Sequence, residues 1–346
     1  MPDQLRELEP HAAWLREDVA DPALWTERFD DQELLELDRA MRHAQSVSGD
    51  LLELSKQDFP LPTVAIRLKR IENELINGRG FALLRGLSRS TYSNDELCLL
   101  YWGIGLHLGN PWPQNKHGHM LGDVTDQGKT RGDYGVRGNE LPGPLPYHSD
   151  GSDLVGLLCL QMAAVGGLSA ICNALAIHND MVREHPQLAA ELYLPQPNDF
   201  RGEQAPGKSS WYQMPVFTDF DDRLFVRYIR TYIKASQLLP EAPRVSARAE
   251  EAMQLLDRMT EDPKYNILMD LQPGDMQFIN NYHVLHARTD YRDDRASGRV
   301  RHLKRLWLET TVLQQRPKYF ARKDRDHWLA NKSISRLDRA GLERTG

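Results

Sequence analysis

Apolar positions recur at helical spacing through the first hundred residues, and then the period changes. In DDQELLELDRAMRHA, Leu34, Leu35, Leu37 and Met41 follow acids suited to a first turn, which predicts a helix. PTVAIRLKRIENELING repeats the spacing with Val64, Ile66, Leu68, Ile71 and Leu75, and stops at Gly78. GFALLRGL, a short apolar run between glycines, reads as a strand. SNDELCLLYWGIGLHLG opens on Ser93 with Glu96 three residues on, a capping-box pattern, and predicts a helix ending at Gly105 or Gly109.

From Asn110 the pattern breaks into a stretch rich in Gly, Pro, Asn and Asp that reaches Gly143. It reads as strand fragments and a long loop, and long loops in compact domains are often functional. After Pro146 strand signals dominate. Asp153 to Ala163 is almost continuously apolar, as in a strand buried on both faces. The chain turns at Gly166-Gly167, makes a short strand, then a helix. WYQMPVFTDFDDRLFVRYIR gives two strand-like runs around Asp219–Asp222, a hairpin signal. PRVSARAEEAMQLLDRMTED is an amphipathic helix. NILMDLQPGDMQFINNYHVLHARTDY and RHLKRLWLETTV supply the last strands.

Few helices interrupt these strands, and no G-x-G-x-x-G follows one. The pattern predicts a mainly β fold, a sandwich or jelly roll with flanking helices, rather than a doubly wound sheet. We expect a single domain over 1–346: a helical N-terminal extension (1–63), a core (64–313), and a charged C-terminal tail (314–346) that is helical or frayed.

Composition narrows the function. A formal net charge of −6 argues against a nucleic-acid partner, whose footprint is usually basic. Three cysteines, Cys98, Cys159 and Cys172, suggest no disulfide framework. The charged N-terminus has no apolar signal-peptide core. The longest apolar stretch is shorter than the ~20 residues of a membrane span. We expect a cytoplasmic protein with a small-molecule substrate, no nucleic-acid or membrane partner, and a homo-oligomer left open.

The candidate chemistry starts at PLPYHSDGSDLVGLLCLQ. In a strand, residues two apart share a face, so His148 and Asp150 project together as two cis ligands for a divalent metal. Alone, H-x-D is a weak signal. A third ligand has its best context in His286; His283, three positions away, would face the other way on a strand. Two histidines and a carboxylate on one face of an octahedron leave three positions open, the arrangement of non-haem Fe(II) oxygenases. A chelating 2-oxo acid and O2 suit those positions. The distal carboxylate of 2-oxoglutarate then needs a cation, and Arg301 or Arg305, an even number apart, would share a strand face. His117, His119 and Asp123 form a weaker rival metal set.

H-x-D at 148–150, the later NNYHVLHAR and the trailing arginines together resemble the TauD/TfdA-type Fe(II)/2-oxoglutarate-dependent dioxygenases of the clavaminate synthase-like superfamily. INGRGFALLRGL, AAVGGLSAICN and QPGDMQFINN resemble further family segments, so the likeness runs over roughly 64–313. It implies a double-stranded β-helix core and Fe(II) at His148, Asp150 and His286. It implies 2-oxoglutarate and O2 as cosubstrates. By position it gives Arg301, with the Ser169 hydroxyl, to the distal carboxylate, and Arg305 to the substrate or the C1 carboxylate. The activity implied is decarboxylation of 2-oxoglutarate to succinate and CO2, coupled to C–H hydroxylation, desaturation or cyclisation. The clavaminate synthase-like branch often carries Glu where this chain has Asp150, and the carboxylate counts against a halogenase.

Arg305 favours a carboxylate-bearing or amino-acid-derived substrate. Tyr147, Gln114 and Asp123 are candidates to touch it, beside or within a loop suited to a lid. Two alternatives stay open: a cupin-like metalloenzyme without 2-oxoglutarate, and a non-catalytic binding protein on the same fold. Arg301 and Ser169 separate the first alternative from the oxygenase, and the complete triad speaks against the second.

Overall fold

The structure, a computed structural model, describes residues 5–130, 135–313, 315–320 and 322–335. Its strands, in chain order, are β1 (Thr26–Arg28), β2 (Phe81–Arg85), β3 (Asn110–Trp112), β4 (His119–Val124), β5 (Leu145–His148), β6 (Leu154–Gln161), β7 (Val165–Gly166), β8 (Ser169–Asn173) and β9 (Gln196–Asp199). Then come β10 (Trp211–Met214), β11 (Phe217–Phe220), β12 (Arg223–Val226), β13 (Asn266–Met269), β14 (Met276–Asn280), β15 (Val284–Arg288), β16 (Tyr291–Arg292), β17 (His302–Glu309) and β18 (Ser333–Ile334). The α-helices are α1 (Asp31–Val47), α2 (Val64–Asn77), α3 (Asn94–Leu108), α4 (Ala174–Glu184), α5 (Pro186–Leu192), α6 (Arg230–Ser236) and α7 (Ala247–Glu261).

Two sheets face each other. The larger runs β1-β2-β14-β6-β17-β4-β18, with β3 also on β17; the smaller runs β13-β8-β15-β5. Alternation sorts the side chains. Val155, Ile279, Leu303 and Trp307 of the large sheet meet Ile171, Ile267 and Val284 of the small one in the layer between them. On the outer side of the large sheet, Leu158, Phe278 and Leu306 pack against α1, α2 and α3. Outside the small sheet, Ala170, Cys172 and Leu285 pack against α4 and α7. This is a jelly roll with flanking helices.

Local signals act as the sequence predicts where a cap or a period sets them. Ser93 N donates to the Glu96 carboxylate at 2.8 Å and Glu96 N to Ser93 Oγ at 3.3 Å, closing the capping box of α3. α2 ends at Gly78 and α3 at Gly109. The hairpin is shorter than predicted: β11 pairs with β12 across Asp221 and Asp222, both left-handed (φ 55° and 60°), whereas β10 pairs back with β9.

His286 sits in the middle of its own strand, β15, because Asn281–His283 turn the chain after β14. One expectation needs correction. Residues 1–63 are not only helical, since β1 lies parallel to β2 at one edge of the large sheet. The described part of the tail, expected to be helical or frayed, carries two 3-10 helices, Lys318–Phe320 and Arg322–Asn331. Arg316 Nε donates to Asp153 at 3.0 Å, Trp328 is buried, and β18 lies parallel to β4 at the other edge. Residues 336–346 of the tail lie outside the described residues. Among the described residues, no helix is long and apolar enough to cross a membrane.

Candidate metal centre

β5 and β15 are antiparallel neighbours, and their register sets His286 directly opposite His148. The two rings lie 4.2 Å apart. Asp150 follows two residues after His148 and is pinned by its own backbone. Its N–H donates to Asn281 Oδ1 at 2.7 Å, and Asn281 Nδ2 donates to the Asp150 and Ser152 carbonyls, each at 2.8 Å. Arg227 also donates to the Asp150 carbonyl. Asp150 Oδ1 stands 3.9 Å from His148 Nε2, and Oδ2 stands 3.7 Å from His286 Nε2. One ligand atom from each of the three falls within 4.8 Å of the others, and among the described residues no other set of three does so.

Electrostatics prepares these groups for a cation. Burial holds the His148 imidazole below its usual range, and burial together with the His148 charge pushes His286 down to about 3. Both are neutral near pH 7. Burial alone would raise the Asp150 carboxyl. The Arg305 guanidinium, the two histidines and the Trp307 N–H outweigh it and hold Asp150 well below the carboxylate range. His148 Nδ1 lies 2.9 Å from the Pro146 carbonyl, which fixes its proton there and leaves the Nε2 lone pair free. Two neutral imidazoles and one ionised carboxylate fit a divalent metal of the facial-triad kind.

Arginines from β17 and its entry line the interior. Arg305 Nη1 donates to Asp150 Oδ2 at 3.0 Å, and its Nε donates to Gln114 Oε1 at 2.8 Å. Arg301, just before β17, is 4% exposed. Its Nε donates to the Gly167 carbonyl at 3.3 Å and its guanidinium lies over Tyr291, yet its Nη1 has no hydrogen-bond partner among the described residues. Burial, and next the charge of Arg288, push Arg301 down to about 10. Nearby, Ser169 Oγ donates to Gln277 Oε1 at 2.9 Å across the gap between the sheets.

Comparison with known proteins fits this geometry. Residues 47–307 match the model of the family described as taurine catabolism dioxygenase TauD, TfdA family. The chain belongs to this family. It is a non-haem Fe(II)/2-oxoglutarate-dependent dioxygenase. FR-33289 synthase of Streptomyces rubellomurinus is 30% identical over 88% of this chain and 91% of that protein. The taurine hydroxylase-like protein SAT17 of Stachybotrys chartarum is 25% identical over 86% of this chain and 79% of that protein. Among solved structures, asparagine oxygenase with Fe(II), 3-hydroxyasparagine and succinate superposes with a TM-score of 0.62 at 17% identity, covering 85% of this chain and 98% of that one. The oxygenase OrfP, with Fe, succinate and (3S)-hydroxy-L-Arg, gives a TM-score of 0.62 at 14% identity, covering 84% and 95%.

The remaining sequence candidates of this TauD/TfdA-family chain fall in different places. Gln114 reaches the site through Arg305: its Nε2 donates to the Arg305 carbonyl at 2.7 Å while its Oε1 receives the Arg305 Nε. Asp123 does not. It pairs with Lys304 at 2.6 Å and His302 at 2.5 Å on the outer face of the large sheet, because β4 sets it opposite Lys304 rather than Arg305. Tyr147 borders the cavity described below, but its ring packs in the apolar layer outside the small sheet, since it alternates with His148. His283 is bound to Glu9 at 3.1 Å, away from the triad. His119 faces Asn115, and the His117, His119 and Asp123 set is not assembled.

Sequence reading missed several neighbours. Trp307 and Arg288 each lie two residues beyond a candidate, Arg305 and His286, so the period-2 rule would have found both. Arg137 and its partner Glu203 are 66 positions apart and carried no local signal.

Proposed function

We propose that the enzyme couples decarboxylation of 2-oxoglutarate to oxidation of a C–H bond in a small anionic substrate, carboxylate-bearing or amino-acid-derived. The observation that carries this reading is a cavity of about 230 Å³ in which two of the three candidate ligands meet a set of arginines: His148, Asp150, Arg305, Arg137, Arg201 and Tyr232 all line it. Cations beside a metal-binding carboxylate suit an acid bound against the reacting centre. The amino-acid products held by asparagine oxygenase and OrfP agree with it.

In this reading His148, Asp150 and His286 hold the iron. Bound iron, with 2-oxoglutarate and O2, supplies an oxidant able to attack an unactivated C–H bond. The chain's own work is position. Arg301 and Ser169 receive the distal carboxylate of 2-oxoglutarate, since a buried guanidinium with a spare N–H is an anion site in waiting. Arg305, oriented by Gln114, faces the cavity. Leu141, Leu145 and Ile229 wall it against water. A cupin-like enzyme without a 2-oxo acid has no need to bury Arg301 uncompensated.

The test is anaerobic addition of Fe(II) and 2-oxoglutarate. A weak visible band near ~500 nm is expected from a 2-oxo acid chelated in an open triad site. No band in the wild type, or an undiminished band in His148→Ala, refutes the reading. Succinate release, screened against acids and their matched amides, then tests the substrate class; equal stimulation by both removes the anionic assignment.

A further inference from the structure

We propose that Trp307 and Arg305 form a clamp that holds Asp150 as a one-oxygen metal ligand, with Trp307 as a positioning residue. The inference rests on the iron-triad reading above. Asp150 Oδ2 accepts the indole N–H of Trp307 at 2.9 Å and Arg305 Nη1–H at 3.0 Å. A carboxylate oxygen offers two lone pairs, so these two donors use up Oδ2. Oδ1 receives only a longer 3.3 Å contact from Arg305 and looks toward His148 Nε2. Oδ1 is therefore the oxygen left for a metal.

The clamp is built into the strand. Arg305 and Trp307 are two apart on the inward face of β17, and the guanidinium lies 5.0 Å from the indole ring. Gln114 fixes Arg305 from behind through its Nε and its carbonyl. Asn281 fixes the Asp150 backbone from the opposite side. The carboxylate is thus gripped at its backbone and at one oxygen, and rotation that would present both oxygens breaks two charge-assisted bonds. The functional consequence is coordination number. Carboxylates bind metals through one oxygen or two. A second Asp150 oxygen would take one of the three positions that a 2-oxo acid and O2 require.

The experiment uses full-length protein and Co(II) as an air-stable stand-in for Fe(II), reading affinity and the visible d–d spectrum. The structural control is the thermal melt of the metal-free protein. Trp307→Phe is expected to weaken Co(II) binding by roughly 10- to 100-fold, as losses of hydrogen bonds behind metal ligands do, and to change the d–d spectrum. Binding within about twofold of wild type with an unchanged spectrum overturns the clamp and leaves the iron site standing. Cobalt uptake that is absent from the wild type, or equal in His148→Ala, overturns the iron site and the clamp together. If Trp307→Phe does not fold, Arg305→Met removes the other donor and carries the same expectation and the same refutation.

Discussion

Replacing Arg301 by Gln should make the cosubstrate-free protein more stable while abolishing its response to 2-oxoglutarate. Burial and the neighbouring charge of Arg288 push Arg301 down to about 10 from an ordinary 12.5. At about 1.4 kcal/mol per pH unit, that is a penalty of roughly 3 kcal/mol on the charged form in the fold. The sign follows from the depressed value of a cation. Near pH 7 the group is charged whether folded or unfolded, so the fold carries the whole penalty, and it is relieved only as pH rises through about 10. Gln removes the penalty and gives up the bond to Gly167 and the stacking on Tyr291, worth about 1 kcal/mol. The net gain of about 2 kcal/mol should raise Tm by roughly 3 °C in a chain of this size. In the wild type, 2-oxoglutarate at about 100 times its Kd should add about 2.7 kcal/mol. In Arg301→Gln the same concentration should add almost nothing. Calorimetry with Fe(II) under argon, with and without 2-oxoglutarate, measures all four states. A mutant that melts below wild type without cosubstrate, or that gains as much from it, refutes the reasoning.

Two other perturbations separate the cosubstrate pocket from the scaffold. Gly167 has φ +76°, and a Cβ there would sit 3.0 Å from Arg301 Cδ and Nε. Gly167→Ala should cost about 1–2 kcal/mol in backbone strain and also raise KM for 2-oxoglutarate; Gly207→Ala, at φ +74° in open space, should pay only the strain. Equal KM values in the two variants would refute the contact. For Asp123, burial alone would raise the carboxyl, but the His302 hydrogen bond and the Lys304 charge hold it below its usual range. The stability it contributes is present above the unfolded value near ~4 and lost as pH falls below it. Asp123→Asn should therefore cost about 3 kcal/mol at pH 7, a difference that shrinks in melts run toward pH 3, while KM for 2-oxoglutarate stays unchanged.

The period-2 rule explains both what the sequence disclosed and where reading it went astray. It drew His148 and Asp150 together, and Arg301 with Arg305, although Asp150 falls just past β5 and Arg301 just before β17, where Asn281 and Gly167 hold them. Applied one step further, it would have turned Tyr147 outward and drawn in Trp307. Asp123 is a different failure. Its register against β17 is long-range, and a shift of one residue exchanges Arg305 for Lys304 and one face of the sheet for the other. His286 was found by its surroundings, but its partner strand was not visible in a sequence where 138 positions separate it from His148. Asn281, Arg137 and Glu203 hold the site through pairings that no periodicity encodes. The fold class was legible because helix caps and apolar runs are set within a few residues.

The two edges of the large sheet are closed by the two described strands that lie farthest apart in the chain. β1 is the first and β18 the last of the described strands, and each lies parallel to the strand it covers. Without Ser333–Ser335, β4 keeps a row of bare N–H and C=O groups, the kind of edge on which chains stick to one another. The same late segment brings Trp328, whose indole N–H donates to the Glu203 carbonyl, behind the Glu203 that holds Arg137 in the cavity wall. The cavity wall is therefore completed from outside the strands that carry the candidate ligands: a chain truncated after β17 would keep His148, Asp150 and His286 while lacking part of that wall.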